Sequence, residues 1–358
     1  MTRFRHPLND FSAPARGSAE IWRTVLGVII VIALGVGMGT VMRQGMDVLL
    51  YGLRPSGGAE ALRGTLTESA RPSSELSFLL MLATFACNWP ALWIVLRVLH
   101  RRPFHTLWGP LGRINWKHYR IGLAVSLTLG AAAWLPWLHY TNVTGITVMP
   151  LENWLLLLCA ALPLLFVQTA AEELMFRGYM LQQFAARSWS ILGWSVAPSL
   201  LFAFLHPSEG MPLGLNWLSL VFGLVMAAVT SRTANLGAAA GLHFGHNVIN
   251  TLIISTSMGR SEPVLLSLPP DISAKPPLLI FVTLMFLGSI IYMGQMDLKF
   301  IMAWRADPTR KGQPPIRLVL PIDEKWIQLR ERRAAAKARR RAARERLRAQ
   351  RAERSRKA

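Results

Sequence analysis

The chain has 358 residues, 52% of them hydrophobic and 16% charged, with a mean hydropathy of +0.33. These values exclude an ordinary soluble domain and describe a polytopic membrane protein. The net charge of +20 does not by itself mark a nucleic-acid binder, because Arg330–Ala358 alone carries 14 Lys/Arg against 3 acids, a net of +11. Cys87 and Cys159 both sit inside apolar runs, so no disulfide framework or cysteine metal motif is expected. Gly-rich phosphate loops, CxxC pairs, HExxH and GxSxG are absent from the sequence, which removes the common soluble-enzyme signatures.

In chain order, the first 23 residues are polar and basic and read as a cytoplasmic segment. Thr24–Met42 is long enough to cross a bilayer. It reads as a retained span rather than a cleaved signal, since a long segment precedes it and no A-x-A site follows. Residues 43–75 read as a polar loop, and Leu76–Leu96 as a second span kinked at Pro90. The loop 97–120 is strongly basic and contains no acid. A third span, Ile121–Leu138, ends in Trp134, Trp137 and Tyr140, which read as an interfacial aromatic belt. The fourth helix starts near Leu151; further apolar runs are Ile191–Leu205, Leu215–Thr230, Leu236–Ser255 and Leu278–Met293. The expected fold class is therefore all-α, a membrane bundle of about eight transmembrane helices. Lys/Arg-rich segments at 97–120, 171–190, 231–235 and from 299 onward fall on one side, so the positive-inside rule puts both termini in the cytoplasm. Four arginines in the loop 43–75 pull weakly the other way. The expected location is the inner or plasma membrane.

Charge placed where apolar residues are expected draws attention to Thr169–Arg177. Glu172, Glu173 and Arg177 follow directly on the run Leu155–Val167. A charge at membrane depth costs roughly 2.5 kcal/mol or more, so three within six residues call for a use. Glu173 and Arg177 are i,i+4 neighbours able to pair along a helix, which leaves Glu172 free. Further on come Phe202-Ala203-Phe204-Leu205-His206 and Leu242-His243-Phe244-Gly245-His246-Asn247. On a helix His243, Asn247 and Asn250 share a face, with His246 beside them. Helical rise puts Glu172 roughly 22 Å from the Arg187 end of its helix and His206 about 24 Å up the fifth run, depths that permit the two to meet. Small residues around the seventh run (Gly237, Ala238, Ala239, Ala240, Gly241 and Gly245) allow close helix approach.

These residues resemble the three motifs of the CPBP (Abi/CAAX) intramembrane proteases, the family that includes the Ras-converting CAAX prenyl endopeptidase. The motifs are Glu172-Glu173-xxx-Arg177, Phe202-xxx-His206 and His243-xxx-Asn247, and the resemblance covers roughly residues 150–256. His246-xxx-Asn250 also fits the third pattern; the first register is preferred. The organisation expected is a cytoplasmic segment (1–23), N-terminal spans and loops (24–150), a CPBP-like core (151–256), a last span (257–298) and a basic cytoplasmic tail (299–358).

What the resemblance implies is hydrolysis of a peptide bond in a membrane-associated protein or peptide. Glu172 is the general base on a water, helped by His206. His243 and Asn247 donate to the oxyanion, while Glu173 and Arg177 hold the helix and the field. The rival chemistry makes Glu172, His206 and His243 the ligands of a zinc ion. Expected partners are the lipid bilayer and the substrate, with the basic tail reaching anionic lipid and no specific nucleic acid. Two other classes stay open: a non-catalytic scaffold or self-protection factor with the same fold, and a proton-coupled transporter, against which stands the lack of an inverted repeat.

Overall fold

The computed structural model describes residues 7–52, 74–187, 192–206, 216–256, 264–269 and 275–288, with single positions 60, 63, 64, 272 and 291. The expected tail 299–358 lies outside the described residues, as does most of the loop 43–75. The described part of each of the eight apolar runs is mostly helical, the run Leu236–Ser255 ending in a short strand, and the protein is a polytopic helical membrane protein.

Two short elements open the chain: helix α1 (Pro7–Ser12) and a 3₁₀ turn (Ala13–Ser18). This stretch is more than a polar leader, because Leu8, Phe11 and Ala15 are buried in it. Helix α2 (Ile21–Tyr51) follows and ends on Gly52, whose left-handed φ of 64° lets its N–H reach back to the Val48 carbonyl. It therefore takes in residues 43–51, which the polar character of that stretch had suggested were loop.

The second apolar run is broken into α3 (Glu75–Thr84), a 3₁₀ turn (Phe85–Cys87) and α4 (Asn88–Val98). The turn sits just before Pro90, whose ring cannot coexist with a regular bond to the carbonyl four residues back. Helix α5 (Trp116–Thr141) starts under an Asn115 cap that accepts from the Lys117 and His118 N–H groups.

Four helices are long and apolar enough to cross a membrane: Ile21–Leu49, Glu75–Val98, Trp116–Thr141 and Leu151–Arg187. Shorter apolar helices cover Leu192–Phe204, Trp217–Thr233 and Lys275–Gly288. Their outward faces are greasy, with Leu49 79% and Leu156 73% exposed, which suits lipid and not water.

The aromatic belt expected at the end of α5 is only partly one. Tyr140 faces outward, but Trp134 is 4% exposed and packs with Ile249, Ile254 and Leu268. Trp134 turns inward because its indole N–H finds an acceptor there, the Asn250 side chain at 3.3 Å. Nearby, a small sheet closes one end of the bundle: β1 (Thr147–Val148) runs antiparallel to β3 (Leu266–Leu268), and β2 (Ile254–Thr256) runs parallel to β3.

The core continues with α6 (Leu151–Glu173), α7 (Leu181–Arg187), α8 (Ala197–Phe204), α9 (Trp217–Thr233) and α10 (Gly237–Asn247), of which α6, α8 and α10 carry motif residues. One side chain fixes where α10 begins. Asn235 Oδ1 accepts from the Asn115 and Gly237 backbone N–H groups, and its Nδ2 donates to the Trp108 and Arg113 carbonyls. The starts of α5 and α10 are thereby tied together. Along their crossing, Gly122 of α5 lies against the Ala238 backbone and Gly241 of α10 against the Tyr119 backbone, leaving no room for a Cβ at either place.

Candidate active site

The first and third motifs adjoin π-helical turns, at Leu174–Met180 and Val248–Ile253, and another such turn, Leu192–Val196, precedes the helix that carries Phe202. Such turns widen a helix and re-aim its side chains, and they gather at functional sites. The first lies directly after Glu173, so Glu172 and Glu173 end the regular part of α6 while Arg177 sits in the widened turn.

Glu173 and Arg177 pair at 2.9 Å, and both are sealed from solvent, at 0% and 1% exposure. The same carboxylate oxygen, Glu173 Oε1, takes His243 Nδ1 at 2.8 Å. The Arg177 guanidinium also lies 4.8 Å from the centroid of the Phe202 ring, a cation–π contact that dry surroundings strengthen. Phe202 in turn packs against both motif histidines, with ring centroids 4.3 Å from His206 and 5.9 Å from His243.

Glu172 is placed differently. Its Oε2 is 3.4 Å from His243 Nε2 and its Oε1 is 3.8 Å from His206 Nε2. Those separations fall inside an ion-pair limit, yet neither amounts to a hydrogen bond, and Oε2 has no hydrogen-bond partner among the described residues. The carboxylate faces a cavity of about 170 Å³ that is also lined by Gln168, His206, His243, His246 and Asn247.

The hydrogen bonds assign the ring protons. His206 Nδ1 lies 2.8 Å from the Phe202 carbonyl, which can only accept, so Nδ1 carries a proton and Nε2 of the neutral ring presents a lone pair towards Glu172. His243 is oriented the same way by Glu173. Anchoring through Nδ1 is also how metal-ligating histidines are held, and the donor types suit zinc. Placement does not follow: among the described residues no three His, Cys, Asp or Glu are arranged to hold one ion.

Five of the six motif residues thus form one connected group around Glu172 and Glu173. Asn247 lines the same cavity without touching either acid, and donates through Nδ2 to Gln168 Oε1 at 3.0 Å. Gln168, one turn before Glu172, was not among the residues singled out in the sequence. It also accepts from Thr169 Oγ1 at 3.2 Å. An uncharged amide at the end of an apolar run gives no charge signal. His246 and Asn250, the alternative register, bond to each other and not to the acids.

A family model described as type II CAAX prenyl endopeptidase Rce1-like matches residues 153–249. The resemblance to the CAAX proteases holds over the core. The matched stretch contains Glu172, Glu173, Arg177, His206, His243 and Asn247, together with Gln168 and His246. An uncharacterized protein of Bacillus subtilis (strain 168), YyaK, is 26% identical over 253 residues, covering 69% of this chain and 83% of the relative. No solved structure matches the chain. The match says what residues 153–249 are similar to and leaves activity, mechanism and substrate to argument.

Proposed function

We propose that the Rce1-like core is an intramembrane endopeptidase that cuts a membrane-associated protein or peptide with a water activated by Glu172. The observation that carries this reading is a buried carboxylate that makes no direct hydrogen bond while two imidazole Nε2 atoms flank it at the wall of a cavity. At 3.8 Å, Glu172 Oε1 and His206 Nε2 are too far apart for a direct bond and close enough for one water to touch both. Glu172 takes a proton from that water as its oxygen attacks the scissile carbonyl carbon, and returns it to the amine as the C–N bond breaks.

Charge counting assigns the rest. Glu172 and Glu173 bring two negative charges, and Arg177 brings one positive. One more proton neutralises the buried group, with His243 Nε2 and Glu172 Oε2, 3.4 Å apart, as the two atoms that can carry it. Residing on His243, it leaves Glu172 as the base. Once Glu172 takes up the water's proton, His243 Nε2–H is free to turn to the oxyanion. Asn247 has one amide N–H beyond the one given to Gln168 and adds it from the same cavity. Arg177 and Glu173 do not reach the substrate; they fix His243. Loop charge supports a topology of eight spans with both termini cytoplasmic.

Solubilised protein tested on a quenched, prenylated peptide with a CaaX terminus checks the reading. Glu172→Gln keeps shape and removes the base, so turnover should fall by about 10² or more with an unchanged melting temperature. His206→Ala should be comparably damaging. Undiminished turnover in Glu172→Gln would transfer the fold to the scaffold class. The lone-pair orientation of both rings favours one second reading: stoichiometric zinc, with activity lost to chelator and restored by metal, would replace the glutamate mechanism.

A further inference from the structure

His246 has the opposite hydrogen-bond polarity to the two motif histidines, and its tautomer is fixed by a chain of bonds that allows no flip. The chain starts at Trp134, whose indole nitrogen can only donate, and donates to Asn250 Oδ1 at 3.3 Å. Asn250 Nδ2 is therefore the end facing His246. It lies 2.8 Å from the His246 carbonyl, which can only accept, and 3.1 Å from His246 Nδ1. Both ends of the amide are assigned by partners with a single role. His246 Nδ1 must accept, and the ring proton sits on Nε2.

The ring is also immobilised. Phe222 and Phe281 lie on either side, each with its centroid 4.9 Å from that of His246, at interplanar angles of 39° and 26°. Phe222 also packs against His243 at 5.0 Å, so the two histidines flank one aromatic ring. His246 lines the cavity that holds Glu172, and Nε2 has no hydrogen-bond partner among the described residues.

A water-attacked carbonyl needs donors for its developing oxyanion, placed before the reaction starts. Neutral His206 and His243 present lone pairs, His243 can donate only when it carries the extra proton, and Asn247 has one N–H left. We infer that His246 is a further catalytic residue of the proposed hydrolysis, its Nε2–H donating to the scissile carbonyl oxygen and holding the oxyanion. This rests on the endopeptidase reading. The proton stays on Nε2 throughout; no bond to His246 is made or broken.

The test uses full-length solubilised protein and the same quenched, prenylated CaaX peptide. His246→Phe keeps the aromatic stack and removes the N–H, so kcat should fall by about 10² with KM within a few fold. His246→Gln, which carries an amide N–H at similar reach, should recover part of the loss. Asn250→Asp puts an acceptor opposite Nδ1, draws the proton there and turns Nε2 into a lone pair; it should fall as far as His246→Phe although the imidazole remains. Nitrogen NMR of histidine-labelled protein should show the Nε2–H form of His246 in the wild type and the Nδ1–H form in Asn250→Asp. Finding Nδ1–H in the wild type, or an active wild type with His246→Phe within threefold of it, overturns the assignment alone. A folded wild type inert on the peptide overturns the endopeptidase reading and this role with it.

Discussion

Two buried polar groups hang on the helical rod Leu151–Arg187, less than two turns apart, and they are built on opposite terms. The first, around Glu172, Glu173 and Arg177, is charged, balanced by proximity, and leaves one carboxylate without a hydrogen bond at the edge of a cavity. The second, around Tyr179, Gln182 and Gln183, is joined by hydrogen bonds among uncharged side chains and Arg102, with Arg102 Nε and Nη2 and Gln183 Oε1 left without a partner among the described residues. His100 Nε2 meets the Tyr179 hydroxyl at 2.9 Å, and its Nδ1 meets Ser18 Oγ and Gln183 Nε2, each at 3.0 Å. Arg102 donates to Gln182 Oε1 at 2.7 Å, and Gln182 Nε2 donates on to the Thr106 carbonyl. No carboxylate bonds to these six side chains among the described residues, and burial lowers the Arg102 guanidinium to about 10. Buried polarity therefore does not identify a site. What marks the first group is a carboxylate without a hydrogen bond at the wall of a cavity of about 170 Å³, a space with room for water.

The largest expected effect on stability comes from breaking the charge balance of the first group. Arg177→Ala removes the one permanent cation beside Glu173 and strips a packing partner from Phe202. A buried charge left without its partner costs about 3–5 kcal/mol, so a strong fall in melting temperature and in folded yield is expected. An Arg177→Ala protein as stable as the wild type would mean that Glu173 is not held as a charge, and the contrast between the two groups would collapse.

A smaller effect should follow from moving the scaffold under the first group and not under the second. Gly241→Ala drives a Cβ into the Tyr119 carbonyl, a backbone atom that cannot swing away. Helices α5 and α10 must separate, carrying His243 with them, at about 1–3 kcal/mol. Gly37→Ala, with nothing within 4 Å, is the matched control and should cost little. Equal melting temperatures for the two variants would show that the α5–α10 crossing is looser than this packing.

Much of the first group was legible in the sequence, and almost none of the second. Charges are scarce in apolar runs, so Glu172, Glu173 and Arg177 stand out, and the i,i+4 spacing of the last two already suggests their pairing. Amides carry no such signal. Gln168, Gln182 and Gln183 sit in a helix that tolerates them anywhere, and only their partners show what they hold. Asn235 looks like a helix-ending asparagine and is a four-way backbone staple, three of its four bonds reaching more than a hundred residues away in sequence. Trp134 matched an interfacial belt by position, yet an acceptor on another helix drew it inward. The π-helical turns beside the first and third motifs leave no mark on composition. The repeated pattern His-xxx-Asn could not choose between two registers, since helical spacing puts both asparagines one turn after a histidine. Opposite hydrogen-bond polarity at His243 and His246 gives each histidine a separate task.

The smallest expected effect sharpens the comparison from the side of the second group. His100 lies in the turn after α4 and is 6% exposed. Burial, and then the nearby Arg102 charge, lowers its ring from the usual 6.5 to about 4; the Arg23 charge adds to this, while the Ser18 carbonyl and Glu20 oppose it. In the unfolded chain the ring takes a proton as the pH falls through 6.5, and in the folded chain it does so only near 4. Between those values the unfolded state binds more protons, so stability falls as the pH falls. The contribution is complete above 6.5 and the loss levels off below about 4. Its slope is at most about 1.4 kcal/mol per pH unit. His100→Gln loses hydrogen bonds at every pH but has nothing to titrate, so its melting temperature should start lower at pH 7.5 and decline less steeply to pH 5. Carboxylates elsewhere act on both proteins alike and cancel in the difference. Parallel curves would show that His100 is charged in the folded protein, and the second group would then need the anion that the structure does not place beside it.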